Sequence, residues 1–179
     1  MLFLSSVSFL SPCLRISVVK FFNENSENKV KYQDMDWQEN IITDRRDIRI
    51  LLAETKRVAV LGIKTEEQSY APAFYVPEYL VRAGFEVVPV PVYYPDVTEI
   101  LGRKVYRRLA DVPGEIDLVN VFRRSADVPQ HTEDILAAKP KAVWFQSGIR
   151  NDSVANELAQ NGIKVVQERC LMVEHRVSL

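Results

Sequence analysis

Apolar positions in this chain fall in short blocks separated by polar, helix-like stretches. The run "TDRRDIRILLAET" sets Ile48, Leu51 and Leu52 at helical spacing behind Thr43 or Asp44, which predicts an amphipathic helix leading into the domain. Six apolar blocks follow: "RVAVLGI" (57–63), "FEVVPVPV" (85–92), "KVYRRL" (104–109), "DLVNVF" (117–122), "KAVWFQ" (141–146) and "IKVVQ" (163–167). Most are rich in Val and lack clean alternation, as expected of strands buried on both faces. Helices are predicted between them: "FYVPEYLVRAG" ending at Gly84, "VPQHTEDILAAK" ending before Pro140, and "NDSVANELAQNG" with Asn151 or Asp152 as cap and Gly162 as stop. The connection "PVYYPDVTEILGRKV" breaks the rhythm. Pro89, Pro91 and Pro95 restrict its backbone, so it reads as a rigid loop with one helical turn, leading to a short edge strand at 104–108.

Alternation of strand and helix predicts an α/β, Rossmann-like doubly wound fold, a mainly parallel sheet with helices on both faces of a single domain. Ligands of such sheets sit beyond the carboxyl ends of the strands, where the winding direction reverses. The residues directly after each strand are therefore the ones to inspect.

Length and charge narrow the reading. A chain of 179 residues with a formal net charge of -1 suits one domain with a substantial core and offers no basic footprint for nucleic acid. Its expected parts are a poorly structured extension or weak targeting segment at 1–34, a helical region at 35–54 and the sheet domain at 55–179. The apolar run from Leu2 to Leu10 is shorter than the roughly 20 residues a bilayer needs, so no membrane association is expected. Met35 offers an alternative start. Cys13 and Cys170 form no CxxC spacing, which fits a reduced, cytoplasmic setting, with organellar import left open by residues 1–34. His131 and His175 are too few for the usual zinc constellations, and no metal ligand is assigned.

After the first strand comes a single glycine, Gly62, then "IKTEEQSYAPA" before a helix that starts near Phe74. The missing second and third glycines of GxGxxG speak against an ordinary dinucleotide site. The helix end still suits a phosphate, with Lys64, Thr65 and Ser69 beside it, and Glu66 and Glu67 read as solvated loop. After the second strand, Tyr93 and Tyr94 are held between prolines. Either one stacks on a purine, or one packs into the core while the other caps the loop. "FRRSADVP" places Arg123 and Arg124 beyond the fourth strand. One is expected at the ligand and one in surface pairs with Asp127 or Glu133, while Ser125 caps the next helix. "QSGIRND" adds Gly148, which admits close backbone approach, and Arg150 before a capped helix. In the tail, Cys170 and His175 do not share a helix face. A buried cysteine and a surface histidine are expected, and no catalytic residue is assigned.

Taken together, "VAVLGI", "FYVPEYL", "GFEVVPV", "VFRRSADVP", "KAVWFQSGIRND" and "GIKVVQERCLMVEH" resemble the small stand-alone CoA-binding proteins, which are related in fold to the amino-terminal domain of the succinyl-CoA synthetase alpha subunit. The resemblance runs from Thr55 to about Arg176. It implies that CoA or an acyl-CoA binds at the carboxyl edge of the sheet. Gly62, Ile63, Lys64, Ala73, Phe74 and Tyr75 would then take the pyrophosphate, Pro91 and Tyr93 would border the adenosine, and Phe122, Arg123, Arg124, Ser147, Gly148 and Arg150 would line the pantetheine side. The sequence lacks the phosphohistidine and ATP-grasp parts of the acyl-CoA synthetases, so the role implied is a non-catalytic carrier, sensor or subunit, alone, as a homo-oligomer or with a protein partner. The chain departs from the family pattern at Lys64, Ala73 and Tyr75, and Tyr94-Pro95-Asp96 stands where relatives often carry Pro-Lys. Those departures leave two alternatives: an NAD(P)- or other nucleotide-binding enzyme subunit, and a degenerate domain kept for protein contacts.

Overall fold

The Val-rich blocks become the central layer of a three-layer structure. The computed structural model describes residues 36–178, and the readings of 1–34 and of Met35 lie outside them. In chain order the elements are α1 (Arg45–Glu54), β1 (Arg57–Leu61), α2 (Pro72–Arg82), β2 (Glu86–Val90), β3 (Glu99–Ile100), β4 (Arg103–Lys104), β5 (Leu118–Val121), α3 (Thr132–Ala138), β6 (Ala142–Phe145), α4 (Asp152–Gln160), β7 (Lys164–Val166) and α5 (Leu171–Ser178). Five strands form one parallel sheet in the order β2-β1-β5-β6-β7. The described residues make up one compact unit.

Both faces of the sheet are covered, which is why its strands read as unbroken apolar runs. On one face Val58, Val60, Leu118, Trp144 and Val166 pack against Ile48, Leu51 and Leu52 of α1, Phe74 and Leu80 of α2, and Leu171 of α5. On the other, Ala59, Leu61, Val119, Val121, Val143, Phe145 and Val165 meet Ile135 of α3 and Val154, Ala155 and Leu158 of α4. The predicted caps form: the side chain of Asp44 accepts from Arg46 N–H at the start of α1, and that of Asn151 accepts from Val154 N–H at the start of α4. At the β7 edge, Ile42 N–H donates to Val165 C=O (2.8 Å), so the segment before α1 continues the hydrogen-bonding of the sheet.

The third predicted strand is a correction. Only Arg103–Lys104 is extended, and it pairs with Glu99–Ile100 in a separate antiparallel hairpin turned by Leu101 (φ 53°) and Gly102 (φ 64°). The apolar block "KVYRRL" does not enter the main sheet. Val105 and Leu109 are buried as anchors of a covering loop, and Tyr106 N–H closes onto Pro89 C=O (2.9 Å).

Register sets the position of the site. Leu61 pairs with both Val90 and Val121, and Val121 with Phe145, so residues 62, 91, 122 and 146 emerge level at the carboxyl edge. The sheet winds one way from β1 to β2 and then returns past β1 to β5. The crevice between the ends of β1 and β5 is the reversal point.

Candidate functional site

Gly62 occupies that reversal point, and the geometry there tolerates no side chain. Its φ is +86°, and a Cβ would stand 2.4 Å from the carbonyl oxygen of Phe122 and 3.2 Å from Cδ of Arg123. Gly62 N–H donates to Val90 C=O (2.8 Å) and Phe122 N–H to Leu61 C=O (2.9 Å), which draws three strand ends together. The glycine thus lets the backbones after β1 and β5 touch and carries Arg123 over the crevice.

Beyond Gly62 the loop is tied to the first turn of α2. Pro77 sits inside that helix and has no N–H to give the carbonyl of Ala73, four residues earlier; Lys64 N–H donates to it instead (3.1 Å). The amino end of α2 has no side-chain cap, since Ala71 stands at the cap position and Pro72 opens the helix. An uncapped helix start of this kind favours an anion.

Lys64 and Arg123 flank the loop after β2. Lys64 Nζ lies 3.2 Å from the Tyr94 hydroxyl, 5.1 Å from the centre of the Tyr93 ring and 5.4 Å from that of Tyr94. Tyr94 donates in turn to Gln68 Oε1 (2.9 Å). Neither tyrosine packs into the core as the sequence reading allowed: Tyr93 is 53% exposed, and Tyr94, at φ 67°, lies in the loop. Arg107 is the physical reason. Its guanidinium donates to the carbonyls of Tyr94 (2.9 Å), Pro95 (2.8 Å) and Val97, holding the loop outward.

Arg123 is only 8% exposed. Its Nε donates to His131 Nε2 (3.1 Å), one terminal nitrogen approaches the Tyr93 hydroxyl (3.4 Å), and the other reaches Asp127 Oδ2 at 3.5 Å. The close partner of Asp127 is instead the exposed Arg124 (2.7 Å). A buried guanidinium is thus left with a neutral imidazole, a phenol hydroxyl and a distant, shared carboxylate. Consequences reach its neighbours. The hydrogen bond and charge of Arg123 hold the Tyr93 hydroxyl below the usual phenol range. Burial, and then the charge of Arg123, keep His131 below the ordinary imidazole range and hence an acceptor at neutral pH. The hydrogen bond from Arg124 lowers the carboxyl of Asp127.

Ser125 does not cap the following helix. Its hydroxyl accepts from Arg150 N–H (3.1 Å) and its carbonyl from the Asn151 side chain (3.1 Å), joining the turn after β5 to the turn after β6. Arg150 is exposed and paired with Asp152 and Glu168, which hold its guanidinium firmly charged. The tail also needs correcting. Cys170 and His175 are both part-buried, and His175 sits between Tyr79, whose hydroxyl lies 2.9 Å from Nδ1, and Phe85. Because α5 packs against α2, the histidine turns toward Tyr79 and Phe85, and the cysteine before the helix is only partly covered.

A groove of about 680 Å³ runs over the reversal point. It brings together Lys64, Ala73, Tyr75, Phe122, Arg123, Arg124, Ser147 and Gly148 of the residues singled out in the sequence. Gly62, Ile63, Phe74 and Pro91 are buried beneath it, Tyr93 stands beside Arg123, and Arg150 faces an adjoining hollow of about 840 Å³ that shares Ser147 and Cys170 with the groove. The sequence reading missed Gln146 and Cys170 as lining residues. The signal for Gln146 was its place directly after a strand; for Cys170 there was none short of the tertiary fold. Among the described residues, three buried side-chain atoms have no hydrogen-bond partner: Thr65 Oγ1, Asn120 Nδ2 and Thr132 Oγ1. Thr65 follows β1, Asn120 is near the end of β5, and Thr132 opens the helix reached from β5. No described helix is long and apolar enough to cross a membrane.

Comparison with known proteins shows the family. A family model described as a CoA binding domain matches residues 56–176. The uncharacterized protein YneT of Bacillus subtilis is 32% identical over 134 residues, covering 75% of this chain and 96% of YneT. The solved structure of cell-free ID.343 from Thermus thermophilus is 36% identical, with a TM-score of 0.70, and the match covers 76% of this chain and all of that one. A dinucleotide-forming acetyl-coenzyme A synthetase from Ca. Korarchaeum cryptofilum shares the fold at 21% identity and a TM-score of 0.52, over 62% of this chain and 25% of that protein.

Proposed function

The chain belongs to the CoA-binding domain family, and from that premise we propose that it holds CoA or an acyl-CoA in the groove over the β1–β5 reversal as a non-catalytic carrier, sensor or subunit. The observation that carries this reading is Arg123, a nearly buried cation whose nearest carboxylate oxygen is 3.5 Å away and already committed to Arg124. Burying a charge costs several kcal/mol unless it is compensated, and an anionic ligand supplies that compensation. Lys64 and the uncapped start of α2 offer further positive potential beside it. Phe122, Tyr75 and the Gly148 turn give the groove apolar and close-approach surface, and its volume lies within the range of small-molecule sites.

Calorimetric titration of the full chain with CoA tests the reading. Saturable binding is expected, weakened in Arg123→Ala, with a stabilisation of about 2.7 kcal/mol at a hundredfold excess over Kd. NADH is expected not to compete. Displacement of CoA by NADH at comparable concentration would favour the dinucleotide alternative, and a folded chain that ignores both would favour the domain kept for protein contacts.

A further inference from the structure

The guanidinium of Arg123 owes its orientation to a neighbour outside the groove: Arg123 lines the groove and His131 does not. His131 closes the helical turn Ser125–His131, directly before α3, and its Nε2 accepts from Arg123 Nε (3.1 Å). Because a guanidinium is planar, fixing its Nε–H fixes the direction of the whole fork. The terminal nitrogens meet the Tyr93 hydroxyl (3.4 Å) and Asp127 (3.5 Å), so three of the five N–H donors are engaged and the rest are left for an occupant. An imidazole accepts only through a nitrogen that carries no proton, so the arrangement requires the neutral ring.

The charges that act on this ring are Arg123 from the turn after β5, Asp127 from the ring's own turn and Asp134 from α3, with Tyr93, Arg124 and Arg108 one partner further out. Both carboxylates are committed elsewhere. Asp127 accepts from Arg124 (2.7 Å), and Asp134 accepts the N–H groups of Leu109 (2.7 Å) and Ala110 (3.2 Å) and pairs with Arg108 (3.3 Å). Burial and the Arg123 charge accordingly hold the imidazole below its ordinary range. We propose that His131 is a positioning residue that makes occupancy of the groove depend on pH: neutral, it aims Arg123 at the ligand, and on gaining a proton it releases it. The proposal rests on the CoA reading above. When Nε2 takes a proton from solvent, a donor faces the donor Nε–H of Arg123 and two cations adjoin, so the guanidinium turns away. The new charge also attracts an anion, but from behind Arg123, so loss of the aimed fork outweighs it.

The test compares the full chain with His131→Gln, whose amide oxygen still accepts but takes no proton, and His131→Phe, which keeps a ring and loses the acceptor. CoA affinity is measured calorimetrically from about pH 8 to about pH 5, with folding checked by circular dichroism at each pH, and the His131 ring is followed by NMR in the free chain. The titration of the ligand's own phosphates, and of His175, is common to all three chains and cancels. At the upper pH the unchanged chain and His131→Gln should bind alike, with the ring proton on Nδ1. One unit below the pH at which the ring titrates, the unchanged chain should have lost about tenfold in affinity relative to His131→Gln. His131→Phe should bind weakly throughout and show no such step; if it fails to fold, the other pair decides. Parallel pH profiles for the unchanged chain and His131→Gln, or binding that tightens as the ring gains its proton, would overturn the positioning role and leave the CoA reading standing. A folded, unchanged chain that binds no CoA at the upper pH would overturn the two together.

Discussion

At the amino edge of the sheet, the Asp117 carboxylate accepts the backbone N–H of Lys56 (3.0 Å) and Arg57 (2.9 Å) and the ammonium of Lys141 (2.7 Å). Arg57 in turn binds the carbonyls of Pro113 and Glu115 and pairs with Glu86. These charges are met by other residues of the same chain. At the carboxyl edge, Arg123 lacks a close carboxylate, α2 begins without a cap, and Thr65 Oγ1, in the loop after β1, is buried without a hydrogen-bond partner. One sheet therefore has two unlike rims. The first spends its polar groups on joining four strand starts, and the second leaves a buried cation and a helix start without close partners in the chain. The asymmetry separates groups that stabilise from groups that recognise, and substitutions at the two rims should have opposite signatures.

The largest effect is expected where the two roles coincide. Gly62→Ala places a Cβ against the Phe122 carbonyl in a left-handed backbone, so a loss of about 3 kcal/mol or more is expected in urea unfolding, with CoA binding lost as well. A variant that stayed fully stable would mean that the β1 and β5 ends separate easily, and the reversal point would lose its rigidity.

Asp117→Ala should act on stability alone. Burial by itself would raise this carboxyl, but the hydrogen bonds from Lys141, Arg57 and Lys56 outweigh it, and the group titrates below the ordinary carboxylate range. Because the folded value is depressed, its contribution is present above the ordinary value of about 3.9 and fades as pH falls through the lower folded value. Removing it should cost about 2 kcal/mol at neutral pH and flatten the acid limb of the stability curve, while CoA affinity in the folded chain holds. Impaired binding at full folding would break the division between the rims.

Arg123→Ala should show the reverse pattern. A ten- to hundredfold loss of CoA affinity, about 1.4–2.8 kcal/mol, is expected with a smaller change in stability. Two titrations sharpen the assignment. The Tyr93 phenol should move back up when its guanidinium partner goes, and His131, relieved of a neighbouring positive charge, should titrate closer to its ordinary value, both readable by NMR. His131 is depressed in the folded chain, so any stability it contributes is present above about pH 6.5 and is lost as pH falls through its folded value.

The two rims were not equally legible in the sequence. Burial on both faces writes strands as Val-rich runs, and alternation with helices fixes where their ends gather, so Gly62, Arg123 and Gly148 were found by position. "KVYRRL" misled because an anchored covering loop needs the same buried residues, Val105 and Leu109, as a strand. The remaining details depend on partners distant in the chain. Asn120 and Gln146 meet across 26 positions, Tyr93 is presented because Arg107 clamps the carbonyls after it, and Cys170 faces the groove because α5 begins there. Pro77 hides its effect in the same way, since the carbonyl it frees matters only once Lys64 comes beside it.

The smallest expected effect concerns the arginine next in the chain. Arg124 also lines the groove, yet its side chain is 83% exposed and already hydrogen-bonded to Asp127 at 2.7 Å. Its attraction for an anion is screened by water and salt, and release of Asp127 would let that carboxylate turn to Arg123 and compete with the ligand. Arg124→Ala should therefore weaken CoA binding only about two- to threefold at low ionic strength, with the difference shrinking as salt is raised. Calorimetry at two salt concentrations reads this directly. A loss as large as that from Arg123→Ala, and independent of salt, would move the principal anion contact to the exposed arginine and leave Arg123 a strut of the fold.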